Sequence, residues 1–177
     1  MTLLERSSPS SVRGLDHVVG IDPGDTTGLC AIRLGGGRTL RERVVAGERF
    51  LGQWEVERGN APLHVSEARS QRALAERLVA LARRWQVAEM NLAIEDFVVR
   101  ERTQARSLLS PVRQTSGLLS LLEQSEVSFV VFFNSASDGK STISDKTLRQ
   151  HGLYEAGWQH ARDAGRQALL VLRKEAT

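Results

Sequence analysis

The sequence has one cysteine, few aromatic residues and no long hydrophobic run. Cys30 is the only cysteine, so an intrachain disulfide is excluded, as is usual in a reducing compartment such as the cytoplasm. No apolar run approaches the roughly 18 residues that cross a bilayer, so we expect no contact with a membrane. The aromatic share is only 5%, but 41% of the 177 residues are hydrophobic, which is enough for the core of one globular domain.

Lysine is also scarce. The three lysines, Lys140, Lys146 and Lys174, leave 21 arginines among the 24 basic residues, at a formal net charge of only +3. Arginine suits bidentate contacts with phosphate, although a GC-rich genome would favour the same residue through its codons. The composition therefore permits nucleic-acid binding without requiring it.

The chain begins with a polar stretch that contains no hydrophobic region of signal-peptide length. We expect residues 1–15 to form a disordered lead-in, and residues 16–177 to form a single domain. Hydrophobic patterning and turn residues predict the elements of that domain. They are strands at 17–22, 27–34, 40–46, 91–99 and 127–133, and helices at 66–86, 110–124, 145–151 and 158–174.

The order of these elements predicts an α/β fold with helices packed on a mixed sheet. The first three strands should form a meander, and the segments 50–65 and 134–144 should be loops. The nearly pure apolar run at 127–133 is typical of a strand that is covered on both faces.

Three acidic residues stand out because of their positions. Asp22 ends the first strand, Glu95 lies within an apolar strand, and Asp163 lies on the last helix three residues after His160. Buried carboxylates are costly unless they are paired or bind a cation, and converging oxygen ligands suit Mg²⁺ or Mn²⁺. Each residue taken alone also fits an ordinary role: a turn cap, an edge-strand residue or a surface charge.

At these residues the chain resembles the RuvC family of Holliday junction resolvases, in the RNase H-like superfamily. The resemblance is strongest to the phage-encoded branch and runs from about residue 16 to 173. It rests on three motifs in order, whose acidic residues are 73 and 68 residues apart. The motifs are Gly20-Ile21-Asp22-Pro23-Gly24 with Thr27-Gly28, then Ala93-Ile94-Glu95, then His160-Ala161-Arg162-Asp163-Ala164.

The resemblance implies an RNase H-like five-stranded mixed sheet flanked by helices, and an endodeoxyribonuclease. Such a protein is a homodimer that binds four-way DNA and nicks two strands of like polarity symmetrically, with two Mg²⁺ or Mn²⁺ ions per site. Lys140 and Lys146 are similar to the two family lysines near the scissile phosphate. The family's stacking aromatic has no clear counterpart, since Val98 stands at its position and Phe97 one residue earlier. The metal-binding catalytic set would be Asp22, Glu95, His160 and Asp163.

A group of arginines follows Glu95, and few acidic residues nearby offset their positive charge. A loop that faces phosphates would explain the group, and so would an ordinary solvated loop. We therefore treat these residues as candidate DNA-binding residues together with the two lysines. They are Arg100, Arg102, Arg106 and Arg113.

Rival interpretations remain at this stage. The first motif is similar to a phosphate motif of actin-like ATPases, but 177 residues cannot supply both halves of such an enzyme, so nucleotide binding is not expected. A non-catalytic DNA-binding module and a nuclease for flaps or forks are also open. The helix at 110–124 carries more leucine than one buried face needs, which a partner chain or the core alone could cover. The leucines are Leu118, Leu119, Leu121 and Leu122.

Overall fold

The computed structural model describes residues 14–56, 62–96 and 110–175. Of the expected lead-in, only Gly14 and Leu15 are described, and Leu15 packs against the core. The described elements in chain order are β1 (His17–Asp22), β2 (Thr26–Arg33), α1 (Leu40–Ala46), β3 (Glu48–Glu55), α2 (Leu63–Trp85), β4 (Glu89–Asp96), α3 (Ser110–Leu122), β5 (Ser128–Ser135), α4 (Ala136–Thr142), α5 (Asp145–Gln150) and α6 (Gln159–Glu175).

The five strands form the expected mixed sheet, and their order in it is β3-β2-β1-β4-β5. β1, β2 and β3 form an antiparallel meander, whereas β4 runs parallel to both β1 and β5. β1 is central and entirely buried. Its carboxyl end therefore lies beside that of β4, with Ile21 opposite Ile94.

Helices cover both faces of this sheet. α2 and α3 pack on one face, where Leu78, Leu92 and Leu118 belong to a single buried cluster. α6 packs on the other face against Val18, Cys30 and Ile32, together with residues of α1 and α5. Cys30 is fully buried, and burial raises the pKa of its thiol to about 12. Among the helices that the structure describes, none is long and apolar enough to cross a membrane.

The prediction of a strand at 40–46 is wrong, because this segment is helix α1. Its N-terminus has a capping box, in which the Thr39 side chain accepts a hydrogen bond from the Glu42 main-chain N–H and the Glu42 carboxylate accepts one from the Thr39 main-chain N–H. The third strand is instead β3, within the segment expected to be a loop. The capping residues therefore favour a helix here, although the pattern of residues favours a strand.

Two further predictions fail at the opposite edge of the sheet. β5 is an edge strand rather than a doubly covered one, and Phe133 is 53% exposed. The expected loop at 134–144 contains α4, whose N-terminus is capped by the Ser135 side chain. The helices expected at 66–86, 110–124, 145–151 and 158–174 are all present, with ends shifted by a few residues.

Candidate active site

The ends of β1 and β4 bring two carboxylates to one face of the sheet. Successive strand residues point to opposite faces, so Asp22 lies on the same face as Gly20, and Glu95 on the same face as Ala93. Gly20 and Ala93 are opposite each other in the parallel pair, and α6 covers this face. The sequence expectation that these two acids approach each other follows from this register.

α6 approaches the sheet closely because glycines lie beneath it. A Cβ at Gly28 would lie 2.0 Å from the carbonyl oxygen of His160, and one at Gly20 would lie 2.0 Å from that of Ala164. Both glycines belong to the opening motif, and Ala164 belongs to the motif on the last helix. These small residues let the first turns of α6 rest directly on the ends of β1 and β2.

His160 connects the helix to the strand end. Its Nδ1 lies 2.7 Å from Oδ2 of Asp22. The Gln53 side chain on β3 accepts a hydrogen bond from the His160 main-chain N–H at 2.9 Å, which satisfies a donor at the helix N-terminus. Gln53 was missed at the sequence level because its segment was interpreted as a loop.

These side chains line one cleft of about 360 Å³ at the edge of the sheet. The four residues of the proposed catalytic set all contribute to its wall. Lys140 from α4 and Pro111 from α3 close it on other sides. The complete lining is Asp22, Pro23, Gly24, Asp25, Thr26, Glu95, Pro111, Lys140, Gln159, His160 and Asp163.

The cleft concentrates negative charge. Burial raises the pKa of Asp22, and the neighbouring Asp163 raises it further, against a lowering by the His160 hydrogen bond. Burial and the charge of Asp22 likewise raise the pKa of Glu95. The hydrogen bond to Asp22 raises the pKa of His160 and favours its protonated form. Burial therefore outweighs the cationic neighbours of Asp22 and Glu95 in setting their pKa values.

Asp163 is held by two cations. It is 5% exposed and accepts a hydrogen bond from Nη1 of Arg166, while Nζ of Lys140 lies 3.5 Å from its Oδ2. Arg166 also binds Asp145 and donates to the Ile143 carbonyl oxygen at 3.1 Å. Arg166 was not singled out from the sequence, although its spacing of three from Asp163 on a helix is typical of an ion pair.

Glu95 has weaker support. Nε2 of Gln167 lies 3.5 Å from its Oε2, at the limit of a hydrogen bond. Oε1 of Gln167 is buried without a partner among the described residues, and so is Nδ2 of Asn134, which is opposite Glu95 on β5. Two buried amide atoms near Glu95 are thus left for a group other than the described residues to satisfy.

The donor set fits a divalent cation in its chemistry. Three carboxylates and one imidazole are hard or borderline ligands, and two of the carboxylates are crowded enough to have raised pKa values. In the described ranges, however, no three His, Cys, Asp or Glu side chains are arranged so as to hold an ion together. Asp163 is turned to Arg166, so a shared ion requires this side chain to rearrange.

The structure separates the candidate DNA-binding residues. Lys140 lines the cleft, whereas Lys146 is exposed on α5 and is not among the lining residues. Arg113 lies on α3 two residues after Pro111, and its Nη2 is 2.7 Å from Oε1 of the buried Glu67. The remaining candidates, Arg100, Arg102 and Arg106, lie outside the described residues, as do Phe97 and Val98.

Comparison with solved structures identifies the architecture. RuvC of Thermus thermophilus in complex with a Holliday junction substrate superposes with a TM-score of 0.56 at 15% identity, covering 90% of this chain and 93% of that chain. This chain has the RuvC fold. A second Thermus thermophilus RuvC structure gives a TM-score of 0.55 at 17% identity, covering 91% of this chain and 97% of that one. No family model and no curated protein sequence matches the chain. The RuvC fold is thus shared at low sequence identity.

Proposed function

We propose that this protein is a metal-dependent, structure-selective endodeoxyribonuclease that resolves Holliday junctions by symmetric nicking. One observation supports the proposal above the others: Asp22, Glu95, His160 and Asp163 line a single cleft on a RuvC fold. They come from β1, β4 and α6, which are remote in sequence. The similar structure that contains a Holliday junction makes branched DNA the substrate class to test first.

Asp22, Glu95 and Asp163 would hold Mg²⁺ or Mn²⁺, with His160 completing the ligand set. Two such ions in a site of this kind lower the pKa of a bound water and stabilise the leaving oxygen of a phosphodiester. The protein contributes the position of the ligands. Asp22 is fixed by the central strand, and Asp163 by the helix that rests on Gly20 and Gly28.

The protein's own residues also orient the imidazole of His160 and supply a proton and a positive charge at the cleft. Asp22 binds Nδ1 of His160, so the imidazole keeps one orientation and Nε2 remains for one of two roles: to complete the ligand set, or to exchange a proton with the substrate. Lys140 adds a positive charge 3.5 Å from Asp163, within reach of an incoming phosphate at the cleft.

The decisive experiment uses labelled four-way, forked, flapped and linear DNA of matched sequence, with and without divalent metal. We expect paired nicks at symmetric positions in the four-way junction, and no cleavage in a chelator. Because histidine is a softer ligand than carboxylate, we expect Mn²⁺ to support faster cleavage than Mg²⁺. Cleavage confined to flaps or forks would show that these structures, and not the four-way junction, are the substrate. No cleavage of any DNA would refute the proposal.

Asp22→Asn is the variant that tests whether the cleft carries out the cleavage. It removes a ligand charge and should reduce cleavage by at least about a thousandfold, which corresponds to ~4 kcal/mol of barrier, while junction binding in chelator is retained. Asp16→Asn is the control, because Asp16 precedes the same strand at its opposite end and its side chain is 69% exposed. Equal loss in both variants would mean that the effect is not specific to the cleft.

A further inference from the structure

Four arginines surround the segment between α5 and α6, outside the cleft. Nε of Arg41 donates to the Gln150 carbonyl oxygen at 3.1 Å, and Nη1 of Arg49 donates to that of His151 at 3.0 Å. Each bond uses one of the five N–H donors of a guanidinium. We call this group the arginine patch, and its members are Arg41, Arg49, Arg149 and Arg162.

The other two arginines of the patch lie against one tyrosine. Cζ of Arg149 is 3.9 Å from the ring centroid of Tyr154, and Cζ of Arg162 is 4.9 Å from the same centroid. Nε of Arg162 is buried and has no hydrogen-bond partner among the described residues. The ring therefore gathers two guanidinium groups without neutralising either charge.

The patch lacks acidic partners. Elsewhere in the described ranges Arg83, Arg84 and Arg113 each pair with a glutamate, but none of the four patch arginines forms an ion pair with a described carboxylate. The nearest acid on α1, Glu42, accepts hydrogen bonds from the main-chain N–H groups at the helix start. The patch thus carries positive charge that no ion pair with a described carboxylate neutralises.

The charge of Arg41 also acts on the neighbouring His151. This side chain is 5% exposed, and burial lowers its pKa. The positive charges of Arg173 and Arg41 lower the pKa further, against the hydrogen bond to the Thr147 carbonyl oxygen. Arg41 of the patch, together with Arg173, therefore disfavours protonation of His151.

The patch begins at the end of β3 that is remote from the cleft. Arg49 and Gln53 lie on the same face of β3, four residues or about 13 Å apart, and Gln53 binds the first turn of α6 at His160. Arg162 follows His160 by two residues on that helix, so its side chain lies on a different side and contacts Tyr154. A polyanion that leaves the cleft along this edge would meet the patch next.

We propose that the arginine patch binds the phosphate backbone of a DNA duplex that extends beyond the cleft. The inference rests on the proposed function, which places DNA in the cleft. Exposed guanidinium donors that are held in place by main-chain carbonyls and a ring suit phosphate oxygens, since little side-chain freedom remains to be lost on binding. The contact would add affinity without sequence preference.

The test measures DNA binding by the full chain in chelator across a salt titration from about 50 to about 200 mM. The variant is Arg41→Gln with Arg149→Gln, both exposed residues, probed with a linear duplex and a four-way junction. We expect about tenfold weaker binding at low salt and a salt slope that is smaller by about two, one per lost phosphate contact. The double lysine variant should keep most of the slope.

The matched control is Arg69→Gln with Arg72→Gln. These residues are exposed on α2, which covers the other face of the sheet, and the change in net charge is the same. Equal slopes for the patch and control variants would overturn the proposal. So would a patch variant that melts earlier but binds like the wild type, because the arginines would then only hold α1 and α5 together.

The patch and the proposed function can fail separately. If the wild type binds DNA but cleaves none, the nuclease proposal falls, and the slopes of the variants still decide the patch. If the wild type cleaves junctions and the patch variant keeps the wild-type slope, only the patch is refuted. A wild type that binds no DNA at any salt concentration refutes both.

Discussion

Asp22 and Glu95 show how a few residues set the chemistry of the cleft. Each is buried or half-buried beside another carboxylate, and both have raised pKa values for that reason. Lys140 and Arg166 offset part of the negative charge of the cleft, because both contact Asp163. Without a bound cation, the ionised site therefore opposes folding, and a cation would relieve that repulsion.

The pH dependence of stability follows from these shifts. In the folded state Glu95 keeps its proton above the ordinary value of 4.5, where the unfolded chain has lost it. The folded state then binds more protons, so the free energy of unfolding decreases as pH rises from about 4.5 through the folded pKa. We expect Glu95→Gln to reduce this decrease, as measured by urea midpoints across pH in chelator.

Glu89→Gln is the control for this measurement. Glu89 begins the same strand, at the end remote from the cleft, and it is exposed. The prediction fails if Glu95→Gln leaves the pH profile of the wild type unchanged, or if Glu89→Gln alters it equally.

At the scale of elements, the contact of α6 with the sheet positions the site. α6 carries two of the four candidate ligands and packs against both β1 and β2. Gly20 and Gly28 permit this contact, because any side chain there would collide with the helix main chain. Arg166 adds a second attachment, from α6 to the start of α5 through Asp145.

Gly28→Ala should therefore damage the cleft without touching a ligand. Its Cβ would lie 2.0 Å from the His160 carbonyl oxygen, so α6 must move. We expect a loss of about 1–3 kcal/mol in stability, as for overpacking of a core, and a larger proportional loss of cleavage. Thermal unfolding and nicking assays measure the two effects.

Gly36→Ala provides the comparison, because a Cβ at Gly36 meets nothing within 4 Å. It should behave as the wild type in both assays. If Gly28→Ala cleaves DNA as fast as the wild type, the position of α6 does not control the site.

At the scale of the whole molecule, each chain carries one such cleft in the part that the structure describes. Symmetric nicking of a junction needs two, so we expect a homodimer. The leucines of α3 differ in burial. Leu118 and Leu122 are buried, whereas Leu119 and Leu121 are only half-buried against the same core. The half-buried pair leaves room for a partner helix but does not demand one.

Sedimentation velocity of the full chain tests this expectation. A dimer has twice the 19.6 kDa of the chain, and it should persist on dilution and bind one junction. A species of 19.6 kDa at tens of micromolar, with or without junction DNA, would contradict it. The dimer interface would then be no part of the mechanism.

The amino-acid sequence by itself determined the strands β1, β2 and β4, the helices α2 and α6, and the candidate ligands at their ends. These features depend on local periodicity, glycines and the position of charged residues, which a sequence displays directly. It misassigned 40–46, because a run rich in valine favours a strand unless the cap at Thr39 is weighed against it.

Only the tertiary structure decided which remote residues support the site. Gln53 reaches the start of α6 from β3, 107 residues away in sequence, and Arg166 joins Asp163 to Asp145. The arginine patch likewise joins α1, β3, α5 and α6. Such contacts depend on how the helices cross the sheet, and that crossing is set by packing of the whole core rather than by any local pattern.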